Sequence, residues 1–374
     1  MGRALHTYIK WPGGKGRILK KMVPLLPREV FDKDFVDPFF GGGSSLLAFR
    51  PKRKAFISDI DPDLMTFYAL VSEKNHDLLD YIFSLSKFWD QFDYFVSYTV
   101  DWDNGAIENL KIEVPSEPIQ KYKEELTIHI GRSINQKLKK LRSILARAYE
   151  ERGNKLDEAA RKTHVETAAR GGFYYFLRDI FNKEITAEDP LRYAAFYFVR
   201  ELCFGSMFRF NDLGKFNIPY GGMSYNGKRF NEKLKTIIHG NPGELLRHST
   251  IRVADFRETL KDVGRGYFVF LDPPYLTDFS EYGGYSFTEK DHMDLIDWLE
   301  DFDGDYLLIV AGKKTVSLYE KKLRMMKKGF IYTFDGEFRF SVRNRNERET
   351  RYLIATSKSL NREHLMIAYP LFSE

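Results

Sequence analysis

The sequence predicts an α/β fold in which a sheet domain is interrupted by a mostly helical insert. Three observations predict it. Near the N-terminus a short strand, a glycine turn, a helix and a second strand follow one another, an order characteristic of parallel sheets. The same alternation returns after about residue 246. Between the two, over residues 75–245, apolar residues recur at helical spacing. The sheet domain is therefore expected from residues 1–74 and 246–374, with the insert at 75–245.

Each element has its own signal. Phe35-Val36 is a short apolar strand ending at Asp37-Pro38. Gly41-Gly42-Gly43 turns the chain into a helix from Ser44 to Phe49. Lys54 to Ser58 is the second strand and Pro62 to Ser72 the second helix, with Asp61 as its cap. In the insert, Ile134 to Glu150 and Pro190 to Phe204 carry the clearest helical patterns, and Asn211 to Gly227 is rich in loop formers. Tyr267 to Leu271 is an apolar strand. Thr288, with Asp291 three residues on, forms a capping-box pattern at the head of a helix to Leu299. Tyr306 to Val310 reads as a buried strand, and Phe338 to Val342 with Tyr352 to Ala355 as a closing hairpin.

Composition narrows the function classes. The longest apolar stretch, Tyr193 to Phe204, is broken by Arg200 and Glu201 and is too short to span a bilayer. A single cysteine, Cys203, excludes an internal disulfide, and the N-terminal residues have no signal-peptide core, so a cytoplasmic location is expected. No His/Cys/Asp cluster has metal-ligand spacing, so no metal is expected. The formal charge of +5 permits a polyanionic partner, and aromatics at 16% offer stacking surfaces as well as core.

Three motifs carry the chemistry. Asp37-Pro38-Phe39-Phe40-Gly41-Gly42-Gly43-Ser44 joins a strand end to a helix start, where open α/β sheets bind ligands. Asp59, at the end of the next strand, is placed to accept hydrogen bonds from both hydroxyls of a ribose. Asp272-Pro273-Pro274-Tyr275 follows a strong strand, and its prolines rigidify the turn and leave carbonyls unpaired. An amine on an aromatic ring is a poor nucleophile, because its lone pair is delocalised. The Asp272 carboxylate and the Pro273 carbonyl can bind its two hydrogens and favour a tetrahedral nitrogen. Tyr275 can stack on the ring that carries it. The glycine turn alone would also suit a dinucleotide-binding oxidoreductase, but Leu46 stands where the last glycine of that fingerprint belongs.

These motifs, with Lys10-Trp11-Pro12-Gly13-Gly14-Lys15 ahead of them, resemble those of the Dam-like, alpha-group (D12) DNA adenine-N6 methyltransferases, in the same order. The resemblance implies a Rossmann-like class I methyltransferase fold: a mixed sheet with helices on both faces. It also implies a target-recognition insert carrying a β-hairpin and S-adenosylmethionine as cofactor. By position, Trp11 and Lys15 would contact the methionine end of the cofactor, and Asp37, Phe39, Gly41 and Gly43 would line its pocket. Asp59 would hold the ribose, Asp255-Phe256 the adenine, and Asp272 to Tyr275 would carry catalysis. Arg209-Phe210-Asn211, with Gly214 and Phe216 to Gly221, looks like the family's DNA-contacting hairpin.

The resemblance implies methyl transfer to N6 of an adenine flipped out of double-stranded DNA, because a paired amine is out of the donor's reach. Among the basic residues of the insert, Lys137 and Lys140 are candidate phosphate contacts. A second basic set, from Arg339 to Arg351, interleaves with Glu337, Glu347 and Glu349, which favours internal ion pairs at least equally. The reading is compatible with a monomer, with or without a restriction endonuclease as companion. The same chemistry on cytosine N4 or on RNA adenine, and a catalytically idle DNA-binding regulator, stay open at this point.

Overall fold

The computed structural model describes residues 7–115, 117–152, 157–183, 189–276, 281–282, 285–339, 347–360 and 372–373. The chain divides into two compact units. One comprises 1–72, 208–210 and 241–374, and the other 73–207 and 211–240.

The first unit is built on an eight-stranded sheet. In chain order its strands are β1 (Asp34–Asp37), β2 (Ala55–Asp59), β3 (Ser249–Val253), β4 (Tyr267–Leu271), β5 (Asp305–Ala311), β6 (Phe330–Arg339), β7 (Glu347–Thr356) and β8 (Phe372–Ser373). Their spatial order is β8-β6-β7-β5-β4-β1-β2-β3. The five strands β5, β4, β1, β2 and β3 run parallel. The pairs β5–β7, β7–β6 and β6–β8 are antiparallel. The central strands are covered on both faces, which is why β5 is buried at every residue and neither it nor β4 alternates with polar residues. Val36, Val269, Leu308 and Leu353 from the sheet pack with Leu295 and Leu299 of helix Glu289–Asp301 and Val316 and Leu323 of helix Lys313–Met326.

The element order places a switch point at β1. From β1 the chain moves outward through β2 to β3, whereas β4 lies on the other side and leads to β5. In such sheets the crevice for ligands opens at the carboxyl ends of the strands at the switch point. The closing hairpin exists, but its first strand begins eight residues before the expected Phe338. The ladder runs unbroken through Asp335-Gly336, pairing Asp335 with Arg351 and Gly336 with Thr350. Residues 340–342 of the expected strand lie outside the described residues.

The second unit is mostly helical. Its longest helices are Lys123–Arg152, Glu158–Asn182 and Pro190–Leu202. The first two pack closely because Gly172 has no side chain: a Cβ there would lie 2.5 Å from Cα of Ile130. Trp89, Phe173, Phe198 and Phe230 form an aromatic centre. The third helix stops at Leu202, before the expected Phe204, where Cys203 is extended and Gly205 has φ +62°.

The β-hairpin of this unit is not where it was expected. Val96–Asp101 pairs with Ala106–Ile112. Residues 209–221 form no ladder of that kind: Asn211 N donates to Lys215 O at 2.9 Å in a tight turn, and Tyr220 makes an isolated bridge with Cys203. Phe216 and Ile218 are buried core residues, which explains their apolar spacing. Among the described residues, no helix is long and apolar enough to cross a membrane.

Candidate active site

At the carboxyl ends of β1 to β4, an open cleft of about 1100 Å³, counted to its mouth, lies in the first unit. It is floored by the glycine turn. Gly41 and Gly43 both have positive φ, +49° and +73°. A Cβ on Gly41 would come within 2.9 Å of Cδ1 of Trp11, and one on Gly43 would collide with the Tyr8 ring. The turn is held from behind, because Tyr68 donates its hydroxyl to Gly41 O at 2.8 Å.

Three carboxylates stand at three neighbouring strand ends. Asp37 closes β1, buried at 1% exposure. It accepts from Phe39 N at 2.9 Å and from the Ser45 hydroxyl. Burial pushes its carboxyl up to about 8; the charges of Asp272 and Asp59 push the same way, and its two hydrogen bonds oppose them. Asp59 closes β2 and accepts from Gly41 N at 2.9 Å and Asp61 N at 3.1 Å. Burial raises its carboxyl too, against the pull of those N–H donors. Asp61 caps the following helix through Leu64 N, as its position before Pro62 implied.

Asp272, just beyond β4, is paired with Lys15 at 2.9 Å. Lys15 is almost fully buried, also donates to Gly13 O at 2.5 Å, and lies 4.7 Å from the centre of the Tyr275 ring. Burial raises the Asp272 carboxyl, and the Lys15 ammonium pulls it back down. The N-terminal lysine motif and the Asp-Pro-Pro-Tyr turn, far apart in sequence, therefore meet as one buried ion pair. Pro273, Pro274 and Tyr275 line the same cleft.

The opposite wall is aromatic. Phe39, Phe256 and Phe287 have ring centroids 5.5 to 5.7 Å apart. Asp255 caps the helix Phe256–Leu260 through Arg257 N at 2.9 Å. The Arg257 guanidinium covers Phe256 and pairs with Asp255, Asp291 and Asp294. Ser286, Phe287 and Asp291 line the cleft although no motif pointed to them; the capping box at Thr288 was the signal available.

Of the residues singled out by sequence, Trp11, Lys15, Phe39, Gly41, Asp59, Asp255, Phe256 and Asp272 to Tyr275 line this one cleft. Asp37 and Gly43 do not: Asp37 braces the turn from beneath, and Gly43 is the residue on which helix Ser44–Phe49 starts. Arg209 is exposed. Phe210 packs edge-on against Phe208, which rests 5.1 Å from Trp11. Asn211, in the second unit, spends its side-chain oxygen on its own turn, accepting from Leu213 N and Lys215 N. Lys137 and Lys140 share the helix Lys123–Arg152; Lys137 is half-buried and Lys140 exposed. Of the C-terminal arginines, Arg351 pairs with Glu320, and the side chains of residues 336–349 lie outside those described. Among the described residues no group of His, Cys, Asp or Glu could hold a metal ion.

A parallel sheet closed by an antiparallel hairpin, with a glycine turn and acidic strand ends around a cleft at the switch point, defines a class I methyltransferase. A family model for D12 class N6 adenine-specific DNA methyltransferases matches residues 11–135 and 134–334, and the chain belongs to that family. It is a site-specific DNA methyltransferase acting on adenine N6. It is 28% identical over 312 residues to the type II methyltransferase M.MjaIII of Methanocaldococcus jannaschii, covering 80% of this chain and 81% of that protein. It is 23% identical to the type II methyltransferase M1.LlaDCHI of Lactococcus lactis subsp. cremoris, covering 85% and 84%. It is also 23% identical to the DNA adenine methylase of Vibrio cholerae, covering 79% and 76%.

Proposed function

We propose that the chain transfers the methyl group of S-adenosylmethionine to N6 of an adenine flipped out of double-stranded DNA, with residues 272–275 as the catalytic turn. The cleft fits this donor. The carboxyl oxygens of Asp59 and Asp272 face the cleft, which suits a cation. Asp59 lines the cleft at the end of β2, its orientation fixed by backbone N–H donors that include Gly41 N and Asp61 N, where it would meet the ribose hydroxyls. The wall of Phe39, Phe256 and Phe287 offers an aromatic surface for a flat ring. Trp11 and Lys15 would hold the amino-acid end. When bound, the donor supplies an electrophilic methyl on a sulfonium.

The protein's part is positioning and charge. Asp272 and the Pro273 carbonyl accept the two hydrogens of the adenine amine and turn its lone pair toward the methyl. Lys15 opposes the burial that raises the Asp272 carboxyl and fixes its orientation. That same burial gives Asp272 the proton affinity to take up the proton that the methylated amine must shed. Tyr275 walls the base pocket. Arg209 and Phe210, with Lys137 and Lys140, are assigned to the duplex. A cytoplasmic enzyme, acting as a single chain or beside a restriction endonuclease, fits this reading.

The observation that carries the proposal is that Asp272, held by Lys15, shares one cleft with the glycine turn and Asp59. Asp272→Ala should lower methyl incorporation on the order of 100-fold or more, as loss of a preorganised transition-state partner does. Donor binding by calorimetry and DNA binding by gel shift should persist. Mass spectrometry of digested DNA should find N6-methyladenine in the wild-type product. Near-normal turnover by the variant would remove residue 272 from the mechanism.

A further inference from the structure

We infer that Thr315 is a positioning residue for the catalytic turn, its hydroxyl fixing the backbone immediately after Tyr275. The inference rests on the catalytic role proposed for residues 272–275. On leaving β4 the chain passes through Pro273 and Pro274, neither of which has a backbone N–H to anchor it. The near end of the turn is fixed by β4 and by the Lys15–Asp272 pair. At the far end, Leu276 N donates to Thr315 Oγ1 at 2.9 Å.

Thr315 is a rigid anchor. Its exposure is 0%, and it lies in the first turn of helix Lys313–Met326, which follows β5, the strand beside β4. One turn further along that helix, the Tyr319 hydroxyl lies 3.0 Å from Nδ1 of the buried His292, so the same helix is tied to helix Glu289–Asp301. Its complete burial leaves the Thr315 hydroxyl little room to swing away from Leu276 N. The turn is thus suspended between the strand that carries Asp272 and the helix of the neighbouring strand. A shift of about 1 Å in such a site can cost on the order of 100-fold in rate.

Thr315→Val keeps the volume and removes the acceptor, and Thr315→Ser keeps the acceptor. The valine variant should lose about tenfold in kcat, with the KM for S-adenosylmethionine, DNA affinity and melting temperature close to wild type. The serine variant should recover most of the loss. If valine does not fold, Thr315→Ala is compared with serine in the same way. A kcat for valine within twofold of wild type would overturn the inference, as would a serine variant impaired as much as valine, since packing of the methyl would then explain both. Asp272→Ala is assayed alongside. If it stays active, the catalytic assignment itself fails; if it is inactive while Thr315→Val is normal, only the role of Thr315 fails.

Discussion

Asp37 sits where its ionisation is opposed from every side but two. Its carboxyl is buried beneath the glycine turn, faces the charges of Asp59 and Asp272, and has Ser45 and Phe39 N as hydrogen-bond partners. A carboxyl raised in the folded state contributes stability that is complete at pH values below its unfolded pKa. That contribution is lost as the pH rises through the folded value. For Asp37 the window runs from about 4 in the unfolded chain to about 8 in the folded one. Within it, one proton gives a slope of up to about 1.4 kcal/mol per pH unit. Asp37→Asn keeps the shape and an acceptor for Phe39 N but has no charge to bury. Urea unfolding followed by tryptophan fluorescence should find the variant gaining on wild type as pH rises from 4 to 8. Parallel pH profiles for the two proteins would show that Asp37 carries no such penalty. At this scale the sequence is legible for residue types and mute about facing. The motif marked both Asp37 and Phe39, but only the folded turn shows that Phe39 faces the cleft while Asp37 braces it from below. Lys15 was marked as well, and nothing in its spacing could pair it with Asp272, because the two meet only when the sheet assembles.

The glycine turn is the element on which the cleft depends, and its geometry is set by what a side chain would strike. Gly43 has φ +73°, and a Cβ there would run into the Tyr8 ring, itself buried against Phe40 and Tyr68. Gly43→Ala therefore combines left-handed backbone strain of about 1–2 kcal/mol with a steric conflict of similar size. We expect a loss of about 2–4 kcal/mol in thermal or urea unfolding. Donor affinity should fall with it, since Gly41 and Phe39 are carried on the same turn. A variant as stable as wild type would mean that Tyr8 yields freely. Parallel strands and their turns are the elements that the sequence announces most clearly, because strands buried on both faces leave unbroken apolar runs such as Phe268 to Leu271. Elements that are partly exposed hide. β3 is an edge strand with Thr250, Arg252 and Val253 exposed, and the hairpin Val96–Ile112 alternates too weakly to stand out from a helical background. Of the expected 209–221 hairpin, Phe216 and Ile218 are apolar because they fill the core of the second unit.

The whole molecule carries a formal charge of only +5, too small to make binding to DNA a property of the bulk surface. Affinity must then come from local concentrations of charge, and helix Lys123–Arg152 supplies one. Lys137 and Lys140 are three residues apart and so share a face, while Lys139 projects elsewhere. Burial and the neighbouring Lys140 both lower the Lys137 ammonium from its ordinary range, so a phosphate placed between the two would relieve a repulsion already present. Each phosphate contact contributes about 0.9 to the slope of log affinity against log salt. Lys137→Ala with Lys140→Ala should therefore reduce that slope by about two and weaken binding to every duplex alike, since phosphate contacts position the DNA without reading it. The KM for S-adenosylmethionine should not move, because its proposed pocket lies wholly in the first unit. Lys139→Ala is the matched control, with the same loss of charge on a different face. If the control changes the salt slope as much as either partner of the pair, only net charge is at work and this face is not a phosphate contact. If the double variant changes sequence preference instead of salt dependence, these lysines reach base edges.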